Sequence, residues 1–205
     1  MKDDDVTLAA NLKALEWYED SADYYASLCG DSPTEREKER LHVLARIAGD
    51  GGTILEVGSG PGAEADYLEA RGVRVRRTDA TAAFVEMQRA NGKDADQLNI
   101  ITDDFGGPYQ GVLALCVLLH IAKDLHDEVL AKVAGSLAPG GGFLVSVRAS
   151  QGGDSRDIVW WHRDDFVERL ERAGLRVEWE DFHVDTGDDE WHSFVAVKDR
   201  AGTEG

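Results

Sequence analysis

The sequence has few of the features that mark secreted, membrane-bound or disulfide-rich proteins. Only 2 of its 205 residues are cysteines, Cys29 and Cys116, too few for a disulfide framework in a chain of this size. Its longest apolar run, residues 112–119, is far shorter than the roughly 20 residues of a transmembrane helix. The acidic start, Met1–Asp5, is followed by no hydrophobic stretch of the kind found in signal peptides. We therefore expect a reducing, cytoplasmic location and no membrane partner.

Basic residues are also scarce. Lysine and arginine total 22 against 40 aspartates and glutamates, which gives a net charge of −18, and so negative a surface repels phosphate backbones. The histidines and cysteines show no His-x-x-x-His or Cys-x-x-Cys spacing, so the sequence predicts no metal site. We expect a small-molecule partner rather than nucleic acid, and a single domain that is a monomer or a homodimer.

The N-terminal segment, residues 1–50, has the pattern of a helical arm or lid. Apolar residues recur at helical spacing at Leu8, Leu12, Leu15, Ala22, Tyr25 and Leu28. A capping box is then predicted at Ser32-Pro33-Thr34-Glu35. It would open a second helix whose apolar face is Leu41, Leu44 and Ala48.

Strands and helices alternate from residue 51 to residue 198, and this pattern predicts the core domain. We expect strands at 53–57, 73–78, 98–102, 111–118, 143–148, 175–184 and 191–198, with helices at 63–71, 81–91, from a cap at Asp124 to the turn at Pro139, and at 163–173. A polar linker covers residues 151–157, and residues 199–205 form a flexible tail. The alternation is typical of an α/β fold with a doubly wound, mostly parallel seven-stranded sheet. Its last two strands form an antiparallel pair, and the ligand site lies at the carboxyl ends of the strands.

A glycine-rich loop, Glu56-Val57-Gly58-Ser59-Gly60-Pro61-Gly62, follows the first strand. Its glycines allow a sharp turn that presents backbone amides to a ligand at a helix N-terminus. The spacing Gly58-x-Gly60-x-x-Ala63 also fits a relaxed dinucleotide fingerprint, and Asp79 lies about 20 residues after the middle glycine, where a ribose-binding acid is expected. A nicotinamide-dependent oxidoreductase is therefore one of the alternatives.

Glu56 favours a different ligand. A carboxylate at the end of an apolar strand costs several kcal/mol of desolvation unless a cation or hydrogen-bond donors meet it. A pyrophosphate cannot do so, whereas a ligand with an ammonium and a sulfonium group can. The structural alternative is a carboxylate bonded to amides of its own loop.

These features together resemble the class I S-adenosylmethionine-dependent methyltransferases of small-molecule type, over roughly residues 50 to 198. The segment Ile54–Gly62 is similar to their first motif, Val117–Ile121 to the segment after strand four, and Leu137–Gly141 to the turn before strand five. The resemblance implies a Rossmann-like methyltransferase fold. It also implies S-adenosylmethionine as the cofactor and S-adenosylhomocysteine as the product.

The resemblance further implies a set of cofactor-binding residues. Asp79 would bind the ribose hydroxyls, Asp103 or Asp104 the adenine amino group, and a carbonyl near Cys116 the methionine ammonium. The complete predicted set is Glu56, Gly58, Ser59, Gly60, Asp79, Ala80, Asp103, Asp104, Phe105 and Cys116.

Methyl transfer is an in-line displacement, so the protein mainly aligns the reactants and excludes water. His120, expected at the carboxyl end of strand four, is the candidate catalytic residue, because it would take a proton from an acceptor hydroxyl. The alternative is a histidine that only packs against the cofactor or bonds a backbone carbonyl.

The predicted substrate-binding residues lie in the arm and after strand five. They are Tyr24, Tyr25, Arg148, Trp160, Trp161 and His162. For Arg148 the alternative is a salt bridge to a nearby acid. For the tryptophans an aromatic cage around a cation competes with core packing.

Three functions stay open at this point. The leading hypothesis is a methyltransferase that acts on a small molecule. The second is an NAD(P)-dependent oxidoreductase of Rossmann type, and the third is a non-catalytic S-adenosylmethionine-binding module.

Overall fold

The computed structural model of the chain describes residues 3–149 and 158–200. The whole predicted linker, residues 151–157, and residues 201–205 of the predicted tail lie outside the described residues. The helices are α1 (Asp3–Leu28), α2 (Glu35–Ala48), α3 (Ala63–Glu69), α4 (Ala82–Ala90), α5 (His126–Ser136) and α6 (Arg163–Arg172). The strands are β1 (Thr53–Val57), β2 (Arg74–Asp79), β3 (Ala95–Gln97), β4 (Tyr109–Ala114), β5 (Leu137–Arg148), β6 (Leu175–Val184) and β7 (Glu190–Lys198).

The strands form one 7-stranded sheet in the order β3-β2-β1-β4-β5-β7-β6. Strands β1 to β5 pair in parallel, and β7 runs antiparallel to both of its neighbours, β5 and β6. The predicted fold class is confirmed, including the antiparallel pair at the end of the chain. Because strand order reverses between β1 and β4, a crevice opens there at the carboxyl ends of the strands.

Apolar residues of the central strands alternate between two buried layers. Ile54 and Leu113 pack on the face that carries α2, together with Leu41 and Leu44 of that helix. Leu55 and Val112 pack on the opposite face, against α5 and α6. Strands covered on both sides are nearly continuous in hydrophobic sequence, which is why they were predictable.

The start of α2 lies two residues later than predicted. Thr34, not Ser32, is the N-cap, and it exchanges hydrogen bonds with Glu37: Thr34 N donates to Oε2 at 2.7 Å and Glu37 N donates to Thr34 Oγ1 at 3.3 Å. Thr34-x-x-Glu37 is therefore the capping box, because only this pair forms both reciprocal bonds. The predicted apolar face of the helix is buried.

Two strand predictions are wrong in their placement, and both differences matter for the site. The third strand, predicted at 98–102, lies instead at Ala95–Gln97, and Leu98 and Ile100, predicted as strand residues, are core residues of the following loop. The fourth strand ends at Ala114 because Cys116 has a positive φ of 56°, which a strand cannot accommodate. Residues Leu118–His120 form a 3-10 turn.

One helix boundary and one strand boundary near the fifth strand also differ. Helix α5 begins at His126 rather than after a cap at Asp124. Strand β5 begins at Leu137, so the predicted Pro-Gly-Gly turn is the first part of the strand, beside an irregularity in its pairing with β4.

Helix α1 is a single helix that packs on α4 and on the 118–120 turn. Its inward face carries Asn11, Tyr18, Ala22 and Tyr25, whereas the predicted apolar residues Leu12 and Leu28 are exposed. The inward stripe is therefore partly polar and aromatic. Across residues 3–149 and 158–200, no helix combines the length and the apolar composition that crossing a membrane requires.

Candidate active site

A cleft at the carboxyl ends of β1, β2 and β4 lies under α1. Its volume is about 660 Å³ with its open mouth included. The walls come from four parts of the chain: the glycine loop, the residues after β2 and β3, the residues after β4, and α1. The lining residues are Asn11, Ala14, Leu15, Tyr18, Tyr25, Val57, Gly58, Gly60, Asp79, Ala80, Thr81, Phe84, Leu98, Asn99, Ile100, Leu115, Cys116, Val117 and His120.

The glycine loop needs glycine at position 58. Gly58 has a φ of 72°, and a Cβ there would lie 2.4 Å from Cγ2 of Val117. Gln88 of α4 holds the loop from beneath, donating to Ser59 Oγ at 2.7 Å and to the Gly60 carbonyl at 2.9 Å. Ser59 is thus buried against α4, and its side chain supports the loop instead of lining the cleft.

Glu56 lies in β1 on the face that packs against α2 and α3. Its side chain is 3% exposed, and within the described residues its Oε2 has no hydrogen-bond partner. Burial raises the pKa of this carboxyl well above its ordinary value; nearby Glu64 adds to the rise and Arg77 opposes it. The alternative of a carboxylate bonded to its own loop is therefore not observed for Oε2. A buried carboxylate oxygen that has no hydrogen-bond partner and lies beside the glycine loop is suited to a cationic ligand group.

Asp79 ends β2 and lines the cleft. Its Oδ2 accepts the Gly60 amide and its Oδ1 accepts the Thr81 amide, each at 2.8 Å. Burial raises the pKa of Asp79 even though both amide bonds favour the charged form. A carboxylate accepts about four hydrogen bonds, so lone pairs are left for ligand hydroxyls. Ala80 lines the cleft beside it.

The acidic residues predicted to bind adenine lie outside the cleft. Asp103 accepts the Asn99 amide at 2.9 Å, Asp104 accepts the Gly106 amide at 2.8 Å, and both are exposed. Phe105 is buried in the core. Because β3 lies before the predicted range 98–102, Asn99 occupies the cleft wall in place of the two acids.

Cys116 lies at the floor of the cleft, immediately after β4. Its left-handed φ of 56° is stabilised by a hydrogen bond of 2.8 Å from its amide to Ser146 Oγ of β5. The thiol is reached from the cleft, although dense surroundings raise its pKa. The structure therefore brings the predicted Cys116 next to Gly58 and Val117.

His120 closes the far end of the cleft and contacts α1. The Tyr18 hydroxyl lies 3.1 Å from its Nε2, and Asn11 Nδ2 donates to its carbonyl at 3.5 Å. Tyr25 lines the same wall and packs edge-on against Tyr18, with ring centroids 5.2 Å apart. Burial raises the pKa of Tyr25, so this phenol stays neutral. Tyr18 and Asn11 were not predicted, because the helical pattern was interpreted through its apolar members.

The other predicted substrate residues do not line the cleft. Tyr24 is exposed. Arg148 is 4% exposed and its guanidinium binds Asp189, with Nη1 2.6 Å from Oδ2, so the salt-bridge alternative describes it. Trp161 is a core residue, so the core-packing alternative describes it rather than the aromatic cage.

Trp160 and His162 flank that tryptophan without forming a ligand cage. Lys123 lies over the Trp160 ring at 4.6 Å, and the Trp160 and His162 rings are edge-on at 4.9 Å. The cations beside these tryptophans are therefore Lys123 and, over Trp161, Arg169 of the protein itself.

Comparison with known protein families gives a match that agrees with the resemblance noted in the sequence. Residues 55–143 match a family model described as a methyltransferase domain. No curated protein sequence matches the chain.

Solved structures share the whole fold at low sequence identity. The 1,6-didemethyltoxoflavin N1-methyltransferase of Burkholderia thailandensis has a TM-score of 0.74 and 17% identity, over 97% of this chain and 91% of that chain. Magnesium protoporphyrin IX methyltransferase of Synechocystis PCC 6803 has a TM-score of 0.71 and 13% identity, over 92% and 97%. A TehB-like S-adenosylmethionine-dependent methyltransferase of Corynebacterium glutamicum has a TM-score of 0.66 and 20% identity, over 91% and 98%.

These structures were solved, in the first two cases, with S-adenosylhomocysteine or S-adenosylmethionine bound. The comparisons give no support to the nicotinamide alternative.

Proposed function

We propose that the chain is a class I S-adenosylmethionine-dependent methyltransferase and that it methylates a small molecule bound between the cofactor and α1. The observation that carries the proposal is the cleft itself. Asp79 lines its cofactor side, the buried carboxyl group of Glu56 lies next to the glycine loop on that side, and its other side is an aromatic wall that contains His120.

The residues at the glycine loop fit the cofactor. Glu56 would meet the methionine ammonium with its unpartnered Oε2, since a buried carboxylate is stabilised by a cation. Asp79 would accept the ribose hydroxyls, and Asn99 would bind the adenine edge. The cofactor, when bound, would supply an electrophilic methyl group on a sulfonium.

His120 would act as the proton acceptor. The Tyr18 hydroxyl at 3.1 Å shows that an O–H group in the cleft reaches hydrogen-bond distance of Nε2. As the acceptor oxygen forms its new bond to carbon, its proton passes to His120, which later releases the proton to water. Helix α1 covers the reacting groups and limits the access of water.

The charge of the cleft points to an uncharged or cationic acceptor. Among the described lining residues there is no lysine or arginine, and Asp79 is a carboxylate. The chain as a whole carries −18. An anionic acceptor would therefore be repelled. The rings of Tyr18, Tyr25 and Phe84, with centroids 5.2 to 6.1 Å apart, offer packing for a planar molecule.

Calorimetry with S-adenosylhomocysteine tests the cofactor assignment. We expect binding by the wild type and about 30-fold weaker binding by Asp79→Asn, which loses a charged hydrogen-bond acceptor. Asp104→Asn, an exposed acid outside the cleft, is the matched control and should bind normally. Absence of binding at high micromolar concentration would refute the proposal.

An acceptor screen tests catalysis. Uncharged phenols and heteroaromatic hydroxyls should form S-adenosylhomocysteine faster than their carboxylated analogues. If the protein binds the cofactor but forms no product with any acceptor, the non-catalytic module becomes the better description. Preference for carboxylated acceptors would contradict the charge argument.

A further inference from the structure

His126, at the start of α5, is a buried histidine that the proposed reaction does not use. Its side chain is 0% exposed, and it lies behind the turn that carries His120, on the core side. The cleft is on the other side of that turn.

The hydrogen bonds of His126 determine its tautomer. Trp161 Nε1 lies 2.9 Å from His126 Nδ1, and an indole N–H can only donate, so Nδ1 carries no proton. The proton is therefore on Nε2, which lies 3.1 Å from both the Leu118 and the Ile121 carbonyls. The imidazole is neutral and donates to the two carbonyls that flank the turn.

Other backbone bonds hold the same turn from the core. The His120 amide donates to the Val117 carbonyl at 3.0 Å, the Ile121 amide to the Leu118 carbonyl at 3.1 Å, and the Val159 amide to the Leu119 carbonyl at 2.9 Å. Of the side chains described here, His126 is the one that joins both ends of the turn. Short 3-10 turns have poorer hydrogen-bond geometry than α-helices, so an additional donor has a large influence on them.

We infer that His126 is a positioning residue for the acceptor side of the site. Its Nε2–H fixes the turn that presents His120 to Tyr18 and to the cleft, and Trp161 fixes the tautomer that makes this possible. The inference rests on the proposed role of His120, but the geometry it describes exists without cofactor or acceptor. Core packing alone would not require a donor at this position.

Amide hydrogen exchange in the ligand-free protein tests the inference directly. His126→Leu keeps a buried apolar side chain but has no donor, and we expect exchange at His120 and Ile121 to be about tenfold faster. His126→Gln offers an amide nitrogen near the position of Nε2 and should restore slow exchange. Trp161→Phe removes the indole donor that keeps Nδ1 of His126 unprotonated, so the proton is no longer confined to Nε2. Exchange at His120 and Ile121 should then be a few-fold faster.

His42→Gln is the matched control. It makes the same substitution on α2, where His42 is exposed and bonds Tyr67 away from the cleft, and it should leave exchange at His120 unchanged. Unchanged exchange in His126→Leu and Trp161→Phe would overturn the inference, as would a His126→Gln variant as labile as His126→Leu. If His126→Leu does not fold, Trp161→Phe and His126→Gln still decide between the outcomes.

A kinetic measurement separates positioning from general stability. In Trp161→Phe we expect kcat with a productive acceptor to fall several-fold, while the affinity for S-adenosylhomocysteine stays at the wild-type value. Equal losses in kcat and in the affinity for S-adenosylhomocysteine would show that Trp161 and His126 merely support the domain. The exchange result stands even if no acceptor is methylated, so failure of the proposed function is distinguishable from failure of this inference.

Discussion

The two sides of the cleft are built in different ways. The cofactor side consists of short residues at strand ends, such as Gly58, Gly60 and Asp79, whose places follow from the sheet. The acceptor side consists of long side chains that meet across the chain: Tyr18 and His120 are 102 residues apart, and Asn11 bonds the His120 carbonyl from 109 residues away. The cofactor side is thus fixed by backbone geometry, while the acceptor side depends on how α1 packs.

The largest effect should follow from His120→Asn. Loss of a proton acceptor typically lowers the rate of a proton-linked step by about 10²–10⁴-fold, while the affinity for S-adenosylhomocysteine should change less than about threefold because the cofactor side is built separately. Tyr24→Phe, on an exposed tyrosine, is the control. A parallel loss of cofactor affinity in His120→Asn would break the division between the two sides.

The second effect concerns acid stability and the support of the acceptor side. Burial lowers the pKa of His126 from 6.5 to about 4, with Arg169 and Lys123 adding to the shift and the Leu118 and Ile121 carbonyls opposing it. The unfolded chain therefore binds a proton that the folded chain does not, and stability falls as the pH drops through this interval. The loss amounts to about 3 kcal/mol.

Urea unfolding at pH 7 and at pH 4 measures this loss. Glu56 and Asp79, with raised pKa values, act in the opposite direction in both proteins, so the difference between wild type and His126→Gln isolates the histidine. The wild type should lose about 3 kcal/mol more than the variant on acidification. Equal acid sensitivity would show that His126 is charged or exposed in solution.

The third effect sharpens the description of the cofactor side. Burial raises the pKa of Glu56 well above its ordinary value, and an arriving ammonium favours the carboxylate and lowers that pKa again. Binding of S-adenosylhomocysteine should therefore release a proton, and affinity should rise by up to about tenfold per pH unit below the raised pKa. Calorimetry in buffers of different ionisation enthalpy measures the proton, and Glu56→Gln should release none.

The smallest effect distinguishes Asn99 from the acids that follow it. Asn99→Ala should weaken binding of S-adenosylhomocysteine by several-fold, about 1 kcal/mol, through one lost hydrogen bond. Asp103→Asn should leave the affinity nearly unchanged, since Asp103 bonds only its own loop. A larger loss of affinity in Asp103→Asn than in Asn99→Ala would assign the adenine contact to the acids instead.

Most of the fold was predictable because each strand and helix carries its own local pattern. Local sequence determines the positions of the glycine loop and of the terminal strand pair. The position of Asp79 follows from the parallel register of β1 and β2. The third strand was misplaced because Leu98 and Ile100 alternate like strand residues, although they are buried in a loop. That misplacement put Asp103 and Asp104 directly after the predicted strand, whereas Asn99 is the residue that lines the cleft.

The acceptor side could not be predicted in the same way. Nothing local to Tyr18 distinguishes it from Tyr24, which points to solvent. The partner of Trp161 is His126, 35 residues away, so its core position follows only from the assembled domain. Long-range contacts between side chains leave no periodic signal in the sequence.

Cys116 sets stability against function at a single position. A non-glycine residue in the left-handed region costs about 1 kcal/mol, and Cys116 adopts it at the floor of the cleft with a φ of 56°. Glycine there would relieve the strain. A variant library selected only for thermal tolerance would therefore favour Cys116→Gly, and in doing so would loosen the bend after β4 that brings the cofactor loop and the His120 turn together.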